Sequence, residues 1–506
     1  MSTPTPSLTL PRPPSRKVLW SALGVALAAL LTLVLVRACA PETDCARGVA
    51  KKSGGECVGV TDGSYAFPAI GDLSARIRDE NREVEKAGEK SVTIAYLESM
   101  SGGSEDRGPE GTRQSVTGAL IAQQEINDER GTLPRIRLLL ANTGRNDTYA
   151  GEVVDQLLKM KDEQHLVAVA GIGQSNARTL AAVEKLRASG VPVVGATVAG
   201  DEMRSPAPGF FRVSFPAGEQ ASAAARYFKQ QQDRRPGYRL QVVKDNKAGD
   251  IYNASLYSGF MTAAQRLGLK VETVVPFTSG AAPGSGNALR VVGEKICVPG
   301  ATPDGVYFAA RGRELRSFVE AAGENRRSCP VTVLSGSSAV GMYFGTSGRT
   351  DTAELDELGR RWKASGLRAY YTAYAHPDAS ARIYGGQERG PFPDFRRRYL
   401  ALRGGSAGEL TNGQAMVGHD AVYTAGIAAR RAVDTYGVEK VTAGTVLDLL
   451  GQTNGTYKIR GVSGEIAFTP DTGEPSDRPM ALVELGPPSA RDDGGGRYRF
   501  VDTLKP

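Results

Sequence analysis

Polar residues follow two short apolar runs near the middle of the chain, where two buried strands are expected to end. The first run, 166–170, is followed by Gln174, Ser175 and Asn176, and Thr197 follows the second run. Hydroxyl and amide groups form hydrogen bonds with small polar ligands, and the free backbone N–H groups of a helix start favour an anion. These residues are therefore candidates for binding an anionic group of a ligand.

One strand, helix and strand unit, 166–199, must position these candidates. The first run is wholly apolar, as a strand buried on both faces requires, and Gly173 lies in the loop that follows it. Leu180, Val183 and Leu186 then recur at helical spacing. In sheets built from such units, ligands bind beyond the carboxyl ends of the strands. The loops after the two strands are therefore expected to face one cleft.

The composition indicates a multidomain protein without a nucleic-acid-binding role. The 506 residues are 41% hydrophobic, which is enough for two or three domains with cores of their own. The net charge is +7, but four positive residues precede the first acid, Glu42. The rest of the chain therefore has a net charge of only +3. Such a small excess is not typical of proteins that bind nucleic acid.

An uncharged segment near the amino end predicts a membrane anchor. The nineteen residues 18–36 carry no charge, and roughly 20 apolar residues span a bilayer. Cleavable signals have a shorter apolar core of about 7 to 15 residues. Positive residues precede the segment and acids follow it. This asymmetry predicts a cytoplasmic tail over 1–17, a transmembrane anchor over 18–37 and an extracellular neck over 38–91.

Cys39 directly follows this segment and leaves two interpretations open. The four residues that end at Cys39 resemble a bacterial lipoprotein cleavage box, although an arginine stands two positions before the cysteine. Lipidation of Cys39 is one interpretation, and a free or interchain cysteine at the membrane surface is the other.

The other four cysteines form two local pairs. Cys45 is expected to bond to Cys57, and Cys297 to Cys329, because thiols outside the cell oxidise. Buried unpaired thiols are the alternative. None of the pairs has the C-x-x-C spacing of a zinc site, and the chain contains only three histidines, so no metal site is predicted.

Five short motifs occur in one order along the chain: AGIGQS at 170–175, VPVVGAT at 191–197, FFRV at 210–213, GHDAVY at 418–423 and GVSGEIAF at 461–468. They resemble those of type 1 periplasmic binding proteins of the leucine/isoleucine/valine-binding kind, which serve ABC transporters. The resemblance covers about four-fifths of the chain, from about 92 to 500. It implies an α/β fold with two doubly wound parallel sheets joined by a three-crossover hinge.

The resemblance also implies how the two lobes divide the chain. The three crossovers of the hinge are expected near Pro216, Gly336 and Pro470. Lobe one then comprises 92–215 and 337–469, and lobe two comprises 216–336 and 470–506.

By the same resemblance, the cleft holds a small polar ligand such as an amino acid. Ser175, Asn176 and Thr197 match positions that bind the carboxylate of the ligand, and Gln174 adjoins them. A purely capping role for Ser175 is the alternative. The remaining candidate contacts are Tyr252 in the wall of the cleft and Arg311, which favours an anionic ligand.

An ammonium group on the ligand requires an acid in the cleft. The candidates are Glu98, Asp250 and Asp420, each of which is also suited to a capping or hinge hydrogen bond. Asp420 lies where the family has a Tyr-Asp-Ala motif, and His419 replaces the tyrosine.

Two functions of different kinds remain open. One is capture of a solute for an ABC importer, and the other is a membrane-anchored sensor, receptor or interaction domain with the same fold. An enzyme is not expected: Gly171 and Gly173 begin a dinucleotide-binding pattern, but Asn176 stands where its third glycine belongs. P-loop and zinc-protease motifs do not occur. No cofactor is predicted.

Overall fold

The computed structural model describes residues 44–103, 107–129, 131–204, 208–280, 285–324, 328–344, 352–476, 478–489 and 496–505. The predicted tail, the predicted membrane anchor and Cys39 lie outside the described residues. Within them, no helix is long and apolar enough to cross a membrane.

The first of two large sheets has eight strands in the order β1-β2-β3-β5-β4-β6-β7-β8. The strands from β5 to β8 run parallel, and β1 to β3 form an antiparallel edge. Because β6 is covered by helices, all six of its residues are buried. The strand bounds are β1 Asp44–Ala46, β2 Val49–Lys51, β3 Cys57–Thr61, β4 Ser91–Glu98, β5 Arg135–Asn142, β6 Leu166–Gly171, β7 Val193–Gly195 and β8 Phe210–Arg212.

The second sheet has seven strands in the order β10-β9-β11-β12-β13-β16-β17. Its first five strands are parallel, and the last two are antiparallel. The two-lobe α/β fold predicted from the sequence is confirmed, but both sheets are mixed rather than wholly parallel. The bounds are β9 Leu240–Asp245, β10 Thr273–Phe277, β11 Gly305–Ala309, β12 Thr332–Ser335, β13 Arg368–Ala373, β16 Met480–Leu485 and β17 Tyr498–Leu504; a small hairpin adds β14 Ile459–Gly461 and β15 Gly464–Ile466.

Helices cover the faces of these sheets, as parallel strands require. In the described residues their bounds are α1 Asp72–Ala87, α2 Pro109–Asp128, α3 Ala150–Lys159, α4 Ala177–Ala188, α5 Ala217–Arg234, α6 Ile251–Leu267, α7 Ser285–Ile296, α8 Gly312–Ala322, α9 Thr352–Ser365, α10 Pro377–Tyr384, α11 Phe392–Arg403, α12 Gln414–Tyr436 and α13 Ala443–Gly451.

The predicted extracellular neck is part of lobe one. Strand β3 pairs with β5, so the segment 44–61 extends the first sheet. Helix α1 follows and buries Leu73, Ile77 and Val84. Because α1 packs against β5 and α2, it belongs to lobe one together with the segment 44–61.

The second crossover lies later than the predicted position at Gly336. Strand β13 pairs in parallel with β12, so helix α9 and β13 form one more strand, helix and strand unit of the second sheet. The chain returns to lobe one only after Ala373 and packs α12 against α2. The segment 337–373 therefore belongs to lobe two, and the prediction that placed it in lobe one is wrong.

A buried ion pair joins the first and third crossovers. Arg212 ends β8, and Glu474 lies between the β14–β15 hairpin and β16. Arg212 Nε and Nη2 donate to the two carboxylate oxygens of Glu474, both at 2.6 Å. Arg212 Nη1 donates to the carbonyl of Gly200 at 2.8 Å. The side chain of Arg212 is 0% exposed and that of Glu474 is 8% exposed, so the pair is withdrawn from water.

Both predicted disulfides are present in the structure. Cys45 in β1 bonds to Cys57 at the start of β3. Cys297, directly after α7, bonds to Cys329 before β12. Cys297 and Cys329 are buried among apolar side chains of the core.

Removing the second disulfide is expected to destabilise lobe two. The bond closes a segment of 32 residues, and the chain-entropy model assigns roughly 3 to 4 kcal/mol to such a loop. We expect the Cys297→Ala/Cys329→Ala double variant to lose about this much free energy of unfolding in urea under oxidising conditions. A midpoint equal to that of the unmodified protein would contradict the prediction.

Candidate ligand-binding cleft

A cleft separates the two sheets at the carboxyl ends of their parallel strands. Loops after β4, β6 and β7 form one wall, and loops after β11, β12 and β13 form much of the other. Ligands bind at this position in open α/β sheets. Five of the residues predicted from the sequence line the cleft: Gln174, Ser175, Thr197, Tyr252 and Arg311.

The turn after β6 brings Ser175 into the cleft. Gly171 has a φ of 101°, and a Cβ atom there would lie 2.9 Å from the carbonyl oxygen of Leu97. Ile172 has a φ of 57°, which is rare and strained for a β-branched residue. Gly173 then passes directly over the carboxylate of Glu98, where a Cβ atom would lie only 3.0 Å away. The turn therefore depends on two glycines and one strained residue.

Two hydroxyl groups on the lobe-one wall have complementary hydrogen-bonding capacity. Ser175 Oγ accepts from the N–H groups of Ala199 and Gly200 at 2.9 and 2.8 Å. Its own hydrogen therefore remains to be donated. Thr197 Oγ1 donates to the carbonyl of Gly173 at 2.8 Å and keeps its lone pairs as acceptors. This wall can thus donate to a ligand through Ser175 and accept from it through Thr197.

Arg311 connects the two walls of the cleft. Its Nε and Nη2 donate to the two oxygens of Asp250 at 2.6 and 2.9 Å, within lobe two. Nη2 also donates to the carbonyl of Ser175 in lobe one, at 3.1 Å. Burial opposes ionisation of Asp250, but the ion pair with Arg311 outweighs it and holds the pKa of Asp250 below its usual value. The guanidinium also lies over the ring of Tyr252, 5.2 Å from the centroid.

Glu314, an acid in the lobe-two wall of the cleft, was not predicted from the sequence. It lies in the first turn of α8 and is 4% exposed. Arg313 Nε and Nη2 both donate to Glu314 Oε1, at 2.9 and 2.6 Å. Oε2 is buried and has no hydrogen-bond partner among the described residues. A signal was available, because an acid that follows a parallel strand by five residues lies at the sheet edge where ligands bind.

Arg107 and Gln414 form a second polar group that the sequence analysis missed. Arg107 Nη2 donates to Glu98, and Nη1 donates to Gln414 Oε1 and, at 3.2 Å, to Ser115. Helix α12 crosses α2 closely enough to make this contact because glycines lie at the crossing. A Cβ atom on Gly118 would lie 2.0 Å from the carbonyl oxygen of Ala415, the neighbour of Gln414.

Three predicted contacts lie beside or beneath the cleft. Asn176 caps α4 by accepting from two backbone N–H groups, and its amide nitrogen donates to Asp147 at 2.8 Å. Both Asn176 and Asp250 border an adjoining cavity at the mouth of the cleft. Glu98 is 3% exposed and lies behind Gly173, bound to Arg107.

The structure places Asp420 away from the cleft, in contrast to its prediction as an ammonium contact. Its two oxygens accept from the N–H groups of Val462 and Ser463, each at 2.8 Å. Asp420 is 0% exposed, and it ties α12 to the β14–β15 hairpin. The motif similarity therefore reflects a structural hydrogen bond here.

His419 lies between two carboxylates. Its Nδ1 is 2.9 Å from Asp420 Oδ1, and its Nε2 is 3.1 Å from Glu125 Oε2. Burial opposes protonation, but hydrogen bonds to Asp420 and Glu125 outweigh it and raise the pKa of His419 to about 9. Tyr423 stacks on the imidazole ring. Burial raises the pKa of Tyr423 to about 12, so this tyrosine does not titrate near pH 9.

The protein is expected to lose stability as the pH rises from about 6.5 to about 9. An unfolded histidine titrates near pH 6.5, whereas His419 in the fold titrates at about 9. Its protonation therefore stabilises the fold fully below pH ~6.5, and this contribution, roughly 3 kcal/mol, is lost as the pH passes the folded value. Urea unfolding across this pH range measures the loss. The His419→Gln variant should show a flatter profile, and an unchanged slope in that variant would assign the effect to another group.

The chain was compared with known protein families and with solved structures. The sequence profile of a family described as periplasmic binding protein matches residues 91–494. The chain belongs to the periplasmic binding protein family. No sequence among the curated proteins matches it.

Solved structures with the same fold share little sequence with this family member. A leucine-binding protein from Thermotoga maritima has a TM-score of 0.59 and 18% identity, over 82% of this chain and 99% of its own. A branched-chain amino acid ABC transporter protein from Thermus thermophilus, with bound valine, has a TM-score of 0.57 and 14% identity, over 82% and 97%. A solute-binding protein from R. palustris in complex with benzoate has a TM-score of 0.55 and 14% identity, over 82% and 96%. At these identities the likeness concerns the fold.

Proposed function

We propose that the protein is a non-catalytic, extracytoplasmic solute-binding protein that captures a small, amino-acid-like ligand between its lobes for an ABC importer. One observation carries this proposal. The cleft presents the hydroxyl hydrogen of Ser175 on one wall and the unpartnered carboxylate oxygen of Glu314 on the other. A zwitterion offers the matching groups, a carboxylate and an ammonium.

The ligands of similar proteins support an organic acid or amino acid as the solute. The three structures compared above are described with leucine binding, with bound valine and with benzoate. All three solutes are small and carry a carboxylate. The hydroxyl group of Ser175, which precedes the capping residue of α4, can donate to this shared group.

Hinge closure is the motion that would trap the ligand. Three crossovers join the lobes, near residues 213–216, 374–376 and 467–479. Arg311 reaches across the cleft to the carbonyl of Ser175, so it can hold the lobes together once they meet. Asp250 orients the guanidinium for this contact by binding both Nε and Nη2.

An extracytoplasmic location fits the two disulfides, because such bonds persist in oxidising compartments. The uncharged segment 18–36 would tether the protein to the cell membrane with its amino terminus in the cytoplasm. Such an anchor would also suit a sensor or receptor with a signalling partner, which is the second candidate function. Neighbouring permease and ATPase genes would favour import, and a neighbouring signalling gene would favour sensing.

Thermal unfolding of the purified full-length protein with a panel of amino acids and small organic acids tests ligand capture. A ligand present at 100 times its dissociation constant should add about 2.7 kcal/mol to the free energy of unfolding. We expect at least one amino acid to raise the melting temperature, and Ser175→Ala to reduce that rise. If no compound on a broad panel shifts the transition, capture of a small solute is the wrong function.

A further inference from the structure

We propose that the ligand carries a second acidic group besides its α-carboxylate, and that Arg107 and Gln414 hold that group. This inference rests on the proposed capture of an amino-acid-like ligand and specifies its chemical class. It assigns to Arg107 and Gln414 the role of selecting acidic amino acids over apolar ones.

The orientation of the Gln414 amide follows from its neighbour. Arginine carries only donors, so the amide oxygen must face Arg107, as it does in the structure. The amide nitrogen then faces away from the arginine. Gln414 is 0% exposed, and its Nε2 is buried without a hydrogen-bond partner among the described residues. Such an unpaired donor is costly unless a ligand supplies the acceptor.

Arg107 has an unpaired donor of its own. Its Nη1 and Nη2 are engaged by Gln414, Ser115 and Glu98, while Nε is buried and has no partner within the part of the chain that the structure describes. Glu98 Oε2, on the carboxylate that Arg107 Nη2 binds, is also buried without a partner among the described residues. The cleft therefore holds an unpaired amide donor on Gln414 beside the guanidinium of Arg107, and both side chains line it. A carboxylate, with two acceptor oxygens, is the ligand group that satisfies two donors at once.

The charge of the cleft favours the same ligand class. Three arginines line it, Arg107, Arg311 and Arg313, against one acid, Glu314. The adjoining cavity at the mouth adds Arg178 and Lys247. Each of these three arginines is paired with an acid, Arg107 with Glu98, Arg311 with Asp250 and Arg313 with Glu314, so the positive excess comes from Arg178 and Lys247. This excess attracts a ligand with a net negative charge more than a neutral zwitterion.

Discrimination against apolar amino acids should be strong. A side chain such as that of leucine would leave the donors of Arg107 and Gln414 buried and unpaired, and sites built to bind a polar group reject analogues that lack it. We expect L-glutamate or L-aspartate to bind the full-length protein on the order of 100-fold more tightly than L-leucine or L-valine in calorimetric titration.

Variants test whether Arg107 and Gln414 cause the preference for acidic amino acids. Arg107→Met is combined with Glu98→Gln so that no buried acid is left without its partner. Gln414→Leu removes the amide at nearly constant volume. In both variants the preference for the acidic amino acid should fall to about 10-fold or less, whereas L-leucine should bind as well as before. Arg82→Met, on the exposed face of α1, removes the same charge far from the cleft and should leave the preference unchanged.

Failure of the second acidic group and failure of amino-acid capture would give different results. If L-leucine or L-valine binds and the acidic amino acids bind no better, the second acidic group is refuted while amino-acid capture stands. If no amino acid binds, capture itself fails and this inference fails with it. Circular dichroism shows whether Gln414→Leu and the Arg107 double variant are folded. If both are folded and still prefer the acidic amino acid, other residues select the ligand and the assignment is overturned.

Discussion

Replacing Arg212 with methionine is expected to cost about 3 to 5 kcal/mol of the free energy of unfolding, because it leaves the carboxylate of Glu474 buried without its partner. Both ends of the bidentate contact measure 2.6 Å, and the arginine is fully buried. Urea unfolding of the ligand-free protein measures the loss. Glu474→Gln should cost a comparable amount, since it leaves the guanidinium unpaired.

The double variant Arg212→Met/Glu474→Met distinguishes the pair from its surroundings. If the cost lies in the unpaired charge, the double variant should lose less than the sum of the two single variants. Arg397→Met is the control, because Arg397 forms an exposed ion pair with Asp394, at 2.7 Å. Its loss should stay within about 1 kcal/mol. Equal losses for Arg212→Met and Arg397→Met would show that the buried pair contributes nothing special.

The position of this pair also links hinge stability to the cleft. Arg212 binds the carbonyl of Gly200, and the N–H group of Gly200 donates to Ser175 Oγ. One residue, Gly200, therefore connects a crossover of the hinge to a candidate ligand contact. We expect Arg212→Met to weaken ligand binding as well as folding, since the Ser175 hydroxyl loses part of its support.

Local patterns predicted the centre of lobe one well. The apolar run of β6, the capping residues before α4 and the position of Thr197 after β7 depend on neighbours in sequence, and the structure has them where the pattern predicts. Neighbouring residues alone could not show whether Asn176 caps a helix or contacts a ligand, because an asparagine side chain suits both roles. The structure shows the cap, with both oxygen and nitrogen of its amide engaged.

The errors arose where pairing partners are distant in sequence. Strand β3 pairs with β5 about 80 residues later, and β13 pairs with β12, about 36 residues earlier, and with β16, about 110 residues later. Nothing in the local composition of 44–61 or 368–373 identifies the sheet that each segment joins. Arg107 and Gln414 were missed for the same reason: they are separated by 307 positions and meet only because α2 and α12 cross at glycines.

Glu314→Gln is expected to abolish most amino-acid binding without harming the fold. The unpartnered Oε2 of Glu314 is the acid in the cleft wall that can accept from an ammonium group. Neutralising one member of a buried charged hydrogen bond costs about 2 to 5 kcal/mol of binding, which corresponds to at least a 30-fold weaker complex. The amide oxygen of the glutamine can still accept from Arg313, whose guanidinium is partly exposed and stays hydrated. The ligand-free variant should therefore lose no more than about 1 kcal/mol of the free energy of unfolding.

Paired ligands test whether Glu314 contacts the ammonium group. L-Leucine is compared with 4-methylpentanoate, and L-glutamate with glutarate, since each second compound lacks only the amine. The loss in Glu314→Gln should be large for the amino acids and small for the acids without an amine. Glu320→Gln, on the same helix but bound to Arg316 outside the cleft, is the matched control and should change neither. Equal losses of affinity for both members of a pair would mean that Glu314 shapes the wall of the cleft without binding the amine. A direct contact would make the loss depend on whether the ligand carries that amine.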